Sequence, residues 1–186
     1  MIQNTNTTWG WPAKALHWSG AILILLLLGH GWWMTHLAPR GPDRIVHYAG
    51  HAALGYDFLV LLVLRLLWRW THAVPGLPAD SPRWETIAAH ASHFGLYLLM
   101  FATTLTGWAL AGTGRVLFDK DAFGLPVPMI YISRDRTMHG LLEESHMVLA
   151  YALLVLLVIH FVAALRHHFI KHNDVLRRMW FSRRQT

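Results

Sequence analysis

Between His146 and His160 the chain runs from Met147 to Ile159 without a charge, a proline or a glycine. If this stretch is an α-helix, the fourteen steps from one histidine to the other bring the side chain back to within about 40° of its starting direction and climb about 21 Å. The two imidazoles then point the same way near opposite edges of an apolar slab about 30 Å thick. Polar side chains are costly in lipid and are kept there mostly for function. Two readings compete. One is a pair of unrelated helix-end histidines, each hydrogen-bonded to its neighbours. The other is two stacked sites, completed by histidines at matching depths on other helices.

Four long apolar segments can be read, at about 13–34, 45–70, 86–110 and 141–170. Each exceeds the roughly 20 residues needed to span a bilayer. All eight prolines (Pro12, Pro39, Pro42, Pro75, Pro78, Pro82, Pro126 and Pro128) fall outside them, as expected of a residue that breaks helix interiors but suits first turns and connections. Trp32, Trp33, Trp68, Trp70, Trp84 and Trp108 cluster at segment ends, where an interfacial aromatic belt belongs. Only 14% of the 186 residues are charged, against about 25% in average soluble chains. The expected fold is therefore all-α: a transmembrane four-helix bundle forming one domain, residues 1–186, with a basic C-terminal tail at 171–186. The chain has no cysteine, which excludes disulfides, iron–sulfur clusters, thiolate metal sites and covalent c-type haem attachment. The polar start MIQNTNTTWG leads into a hydrophobic segment without a small-residue cleavage pattern, so no cleavable signal peptide is expected.

Lysine and arginine set the orientation. With four spans, both termini share one side. That side collects Lys14, Arg65, Arg69, Arg83, Arg166, Lys171, Arg177, Arg178, Arg183 and Arg184; the other has Arg40, Arg44, Arg115, Lys120, Arg134 and Arg136, accompanied by six acidic residues. Ten basic residues against six predict both termini inside, in the cytoplasm. The net charge of +6 then reflects topology, and nucleic acid is not an expected partner; membrane lipid is. The tail RHHFIKHNDVLRRMWFSRR is expected to continue as a basic helix along the inner surface. The longest loop, about 111–139, should form a short lid over the outer helix ends.

By depth, His17, His90, His93 and His160 fall near the inner edge, and His47, His51 and His146 near the outer edge. The outer layer offers His51 with His146; the inner layer offers His160 with either His17 or His93. Paired histidines on facing helices of a bundle are a standard way to hold haem. Zinc wants more ligands, usually with carboxylate or thiolate, and the only carboxylate at membrane depth is Asp57. A pair per layer therefore fits haem better than zinc. Space for a porphyrin needs small residues beside it. Gly31 lies fourteen residues after His17 and Gly107 fourteen after His93, both at outer depth on the histidine face. Arg65, fourteen after His51, falls at inner depth, where it can meet a haem propionate or a quinone headgroup.

The chain resembles the bacterial cytochrome b561 family along nearly its whole length. The resemblance is carried by ALHW near the start, HAALGYDFLVLLVLRLLWR, HASHFGLYLL, the spacing of His146, His160, His167 and His168, and the ending KHNDVLRRM. It implies four transmembrane helices in the bacterial inner (plasma) membrane, multi-pass, with two haem b groups stacked across the bilayer. It further implies that His17 and His160 hold the inner haem and that His51 and His146 hold the outer one, with His47, His90, His93 and His139 as competing candidates. A switch between His47 and His51, one turn apart on one face, is the nearest alternative.

Two haems spanning the membrane make an electron wire. Iron held by two histidines has no open position, so such haems carry electrons and do not bind oxygen at the metal. At the inner end His167 lies seven residues beyond His160 on the same face, near His168, Arg65, Arg69 and Lys14 in depth. The resemblance implies that ubiquinone is bound there by His167. At the outer end it implies a one-electron donor, superoxide in some family members, which Arg115, Lys120, Arg134 and Arg136 could steer, although Asp119, Asp121, Asp135, Glu143 and Glu144 offset them. Three functions follow: an oxidoreductase of the superoxide:quinone type, a quinone-linked cytochrome b subunit serving a partner dehydrogenase or periplasmic redox protein, and a non-redox four-helix membrane protein.

Overall fold

A computed structural model describes residues 1–39, 41–78, 81–113, 123–124, 126–128, 132 and 135–181. All elements among them are helices: α1 (Trp11–His36), α2 (Arg44–Thr71), α3 (Arg83–Thr113), α4 (Arg136–Phe169) and the short α5 (Val175–Met179). The first four are long and apolar enough to cross a membrane. They pack in chain order, α1 on α2, α2 on α3 and α3 on α4, and α1 makes no comparably close pairing with α4.

The ends of the helices follow from local chemistry. Pro12 sits in the first turn of α1, where its missing N–H costs nothing. The carbonyl of Pro82 accepts the backbone N–H groups of Glu85 and Thr86 and starts α3. Asp135 caps α4, accepting from the N–H groups of Thr137 and Met138 at 3.3 and 3.2 Å. α4 therefore begins at Arg136, five residues before the apolar segment that marks it in the sequence. Hydropathy registers the part of a helix that sits in lipid, whereas caps and hydrogen bonds set its true ends. The 34 residues of α4 reach about 51 Å, well beyond the hydrocarbon.

The core lies at mid-depth and draws on every long helix: Ile24 and Leu27 from α1, Phe58 and Leu62 from α2, Leu96 and Met100 from α3, and Leu153 from α4. Outside it the helices present leucine, isoleucine, valine and phenylalanine outward, among them Leu25, Leu26, Phe94, Val155 and Phe161. In water such a surface would aggregate; in lipid it is the solvated face. At the end that carries both termini, the Glu85 carboxylate of α3 is nearly buried and holds Arg166 at 3.0 Å and Lys171 at 2.6 Å. This ties the first turn of α3 to the end of α4.

The tail departs from the expected continuous helix. α4 ends at Phe169, the chain turns through His172 at φ 51°, and only Val175–Met179 is helical again. The tail folds back over the bundle instead of leaving it: Lys14 Nζ donates to the Trp180 carbonyl at 2.9 Å, Trp18 Nε1 to the Met179 carbonyl at 2.8 Å, and Arg178 to the Gly76 carbonyl at 2.9 Å. The first two contacts satisfy tail carbonyls that a continuing surface helix would have used internally. Most of the loop expected to act as a lid, including Arg115, Lys120 and Arg134, lies outside the described residues. Of the part described, Trp108 Nε1 donates to the Pro128 carbonyl at 3.0 Å.

Phe58 is 2% exposed. Phe58→Ala should therefore destabilise the bundle by about 3–5 kcal/mol, read as a lower thermal midpoint in detergent; an unchanged midpoint would show that the mid-depth cluster is not the core.

Candidate functional site

The interior faces of the long helices repeat at seven residues. α1 carries His17, Ile24 and Gly31; α2 carries His51, Phe58 and Arg65; α3 carries His93, Met100 and Gly107; α4 carries His146, Leu153 and His160. The middle member of each set belongs to the core. The other members form two layers, one on each side of it.

In the layer at the loop end, the rings of His51 and His146 face each other with centroids 6.2 Å apart and planes at 90°. The ring opposite His146 is thus that of His51. His47 packs instead against Trp33 at 4.9 Å and His30 at 6.0 Å. His146 Nδ1 lies 2.9 Å from the Thr103 carbonyl of α3. A carbonyl only accepts, so Nδ1 carries the ring proton and Nε2 keeps a free lone pair. Gly107 makes this approach possible: a Cβ there would stand 2.8 Å from His146 Cε1, closer than van der Waals contact permits. Gly31 does the same for the partner ring, since a Cβ there would stand 3.3 Å from His51 Cε1.

The layer at the terminal end gathers His17, His93, His160, Arg65, Arg69 and Tyr97. The rings of His93 and His160 are 5.5 Å apart. His17 lies within electrostatic reach of Arg65, His160 and His93. The guanidiniums of Arg65 and Arg69 lie 5.6 and 5.9 Å from the centre of the Tyr97 ring. Beyond this layer, His167 is half-buried and faces Asn173 at 2.8 Å. His168 stacks edge-on against Phe169. Of the competing histidines, the exposed His90 bonds the Thr86 carbonyl at 2.7 Å, and His139 meets the Thr113 hydroxyl at 2.7 Å.

Two imidazoles clamping one metal ion at about 2 Å per bond hold their ring centroids roughly 6 Å apart, close to the separation of His51 and His146. Buried structural imidazoles normally find hydrogen-bond partners. The Nδ1 atoms of His17 and His51 are buried and make no hydrogen bond among the described residues, so no core hydrogen bond through Nδ1 fixes these two rings. No group of three or more His, Cys, Asp or Glu able to hold a metal ion occurs among the described residues. This donor set, imidazoles in pairs with glycines opposite them, fits a haem that supplies its own four nitrogens.

Several neighbours of the layers were not singled out in the sequence. Tyr97 follows His93 by four residues and shares its face, a spacing that could have revealed it. His30 lies three residues before Trp33, a one-turn spacing that could have linked it to the tryptophan already placed at that helix end. The Thr103 carbonyl could not have been found, because a backbone acceptor leaves no mark in side-chain pattern.

Residues 8–182 match the family described as prokaryotic cytochrome b561. Similar proteins include cytochrome b561 homolog 2 of Escherichia coli (strain K12), 34% identical over 180 residues covering 95% of this chain and 93% of the relative. They also include "Probable superoxide oxidase CybB" of Yersinia pestis, 29% identical over 174 residues covering 88% and 90%, and cytochrome b561 homolog 1 of Escherichia coli (strain K12), 24% identical over 169 residues covering 88% and 92%. Four apolar helices, paired imidazoles at membrane depth and a match spanning nearly the whole chain place this protein in the prokaryotic cytochrome b561 family, haem-binding multi-pass proteins of the bacterial inner membrane that carry electrons.

Proposed function

We propose that the chain is a single-domain electron carrier, with both termini cytoplasmic, that passes electrons from a periplasmic one-electron donor, superoxide, to membrane ubiquinone. The observation that carries this reading is the opposed pair His51 and His146, with rings 6.2 Å apart, in one of two layers separated by the core. His51 and His146 would hold the outer haem b, and His17 and His160 the inner one. The two haems supply reversible one-electron chemistry at two depths. The protein's own residues do the rest. The Thr103 carbonyl fixes the His146 tautomer, Gly31 and Gly107 keep side-chain bulk away from the outer rings, and Arg65 places a cation at inner depth for a propionate or a quinone oxygen. His167 faces the quinone headgroup. In the overall reaction two superoxide anions leave as two dioxygen molecules, and one quinone takes up the two electrons with two protons to become quinol.

The superoxide assignment draws support from the printed name of the Yersinia pestis relative and from the basic residues expected around the outer end. The other redox reading, a quinone-linked cytochrome b subunit docking a dehydrogenase or a periplasmic redox protein, shares the same layers. It differs in one observable: superoxide alone would not reduce its haems.

A pyridine haemochrome assay should find two b haems per wild-type chain and one in each of His51→Ala and His160→Ala. His17→Ala should lose the inner haem while His93→Ala keeps it; the reverse result would reassign the inner ligand to His93. Gly107→Val should place a methyl group against His146 and reduce outer-haem occupancy severalfold, with the inner haem and membrane insertion retained. Enzymatically generated superoxide should reduce the haems of the purified protein with no partner present. Neutralising Arg115, Lys120, Arg134 and Arg136 together should slow that reduction and flatten its salt dependence; a rate indifferent to all four would end the steering role.

A further inference from the structure

The turn after α4 holds a hydrogen-bond chain that determines where the proton of His167 sits. At His172 the backbone takes φ 51°, the left-handed region, which non-glycine residues adopt uncommonly and histidine more readily than most. That reversal brings Asn173 back beside the last turn of α4. Its backbone N–H donates to the His167 carbonyl at 3.1 Å, and its side-chain Nδ2 lies 2.8 Å from His167 Nδ1. The side-chain oxygen of Asn173 is engaged elsewhere: it accepts the backbone N–H of Val175 at 3.4 Å, at the start of α5. With the oxygen turned to a backbone donor, the atom facing the imidazole is the NH₂. An NH₂ only donates, so Nδ1 must accept. The proton of neutral His167 is then on Nε2.

We propose that Asn173 is a positioning residue that holds His167 as its Nε2–H tautomer, so that a quinone carbonyl meets a donor. This rests on the reading that His167 faces the quinone. The physical reason is direct. A quinone carbonyl oxygen carries only lone pairs. The opposite tautomer, with the proton on Nδ1, would set the bare Nε2 against it. His167 therefore offers its Nε2–H as a hydrogen-bond donor to the headgroup, and the protons of quinol formation come from water at the interface. The strained turn at His172 is what makes this arrangement possible, since a regular helix would carry position 173 away from the ring.

The test combines a spectroscopic readout with a kinetic one, on full-length protein loaded with both haems. In ring-¹⁵N-labelled histidine spectra, with the His167 signal assigned by its loss in His167→Gln, the wild type should show a bare Nδ1 and a protonated Nε2. Asn173→Asp replaces the donor by an acceptor and should move the proton to Nδ1. Asn173→Ala should leave a mixture. With a soluble short-chain ubiquinone as oxidant, KM should rise about tenfold in Asn173→Asp, the scale of one lost hydrogen bond, and only about twofold in Asn173→Ala, where part of the population keeps the donor, while haem content and kcat at saturating quinone stay near wild type. A protonated Nδ1 in the wild type, or a tautomer unmoved by Asn173→Asp, overturns the positioning role. A tautomer that responds as described, with KM indifferent to both Asn173→Asp and His167→Gln, overturns the placement of quinone at His167 instead.

Discussion

An imidazole at membrane depth has no water to bond, so its ring nitrogens must be satisfied by the protein or by something the protein holds. The organisation of this chain follows from that constraint. A histidine on one helix needs a partner on another at the same height. A second histidine fourteen residues on, as in α4, repeats the requirement at the opposite edge of the slab. The interior faces of four helices are thereby fixed at two levels, and rotating any one helix by a quarter turn would strand its histidine in lipid.

The seven-residue repeat shows how the levels are kept apart. Ile24, Phe58, Met100 and Leu153 stand midway between the layers, and all belong to the buried cluster; Leu153 is fully enclosed. Four side chains of different shape fill the middle of the bundle, one from each helix. At the loop end the pattern is complementary. Where α4 supplies a histidine at the loop end, α3 supplies Gly107, and where α2 supplies His51, α1 supplies Gly31. Large ring and missing side chain are matched across helices at one height, so that packing contributes to the placement of the rings.

Much of this could be read in the sequence because it rests on side-chain chemistry at fixed spacing. The four spans follow from apolar run length and from prolines confined to the connections. The fourteen-residue spacings of His146 with His160, His17 with Gly31 and His93 with Gly107 placed each residue at the depth where its helix carries it. The seven-residue midpoints were equally present, but an isoleucine or leucine among many apolar neighbours carries no signal until burial distinguishes it. Other features were out of reach for a different reason. The Asp135 cap precedes a run whose first turns are polar, so hydropathy placed the start of α4 too late. The reversal at His172 puts a left-handed backbone at a residue type that favours it only weakly, a far fainter mark than a glycine would leave. The choice between His17 and His93 also turns on packing that spacing cannot weigh, since both lie at the inner edge on inward faces.

The two layers differ in their electrostatic surroundings, and the difference bears on direction. At the loop end His146 is held by a neutral backbone carbonyl, and the neighbours of His51 are other imidazoles, those of His30 and His146. At the terminal end Arg65 lies within electrostatic reach of both His17 and His160, and Arg69 lies beside it over the same tyrosine ring. Guanidinium remains charged at any physiological pH. In a medium of low dielectric a fixed cation favours whatever adds negative charge nearby, by more than it would in water. An added electron is such a charge, and so is a propionate. To the extent that propionates do not neutralise them, the arginines lower the energy of an electron at the terminal end relative to the loop end. The Glu85 carboxylate, the buried anion at this end of the bundle, is already occupied by Arg166 and Lys171, which limits how far it can offset the arginine pair. The charge pattern therefore favours negative charge at the terminal end over the loop end, which is the sense that the proposed outer donor and inner quinone would require.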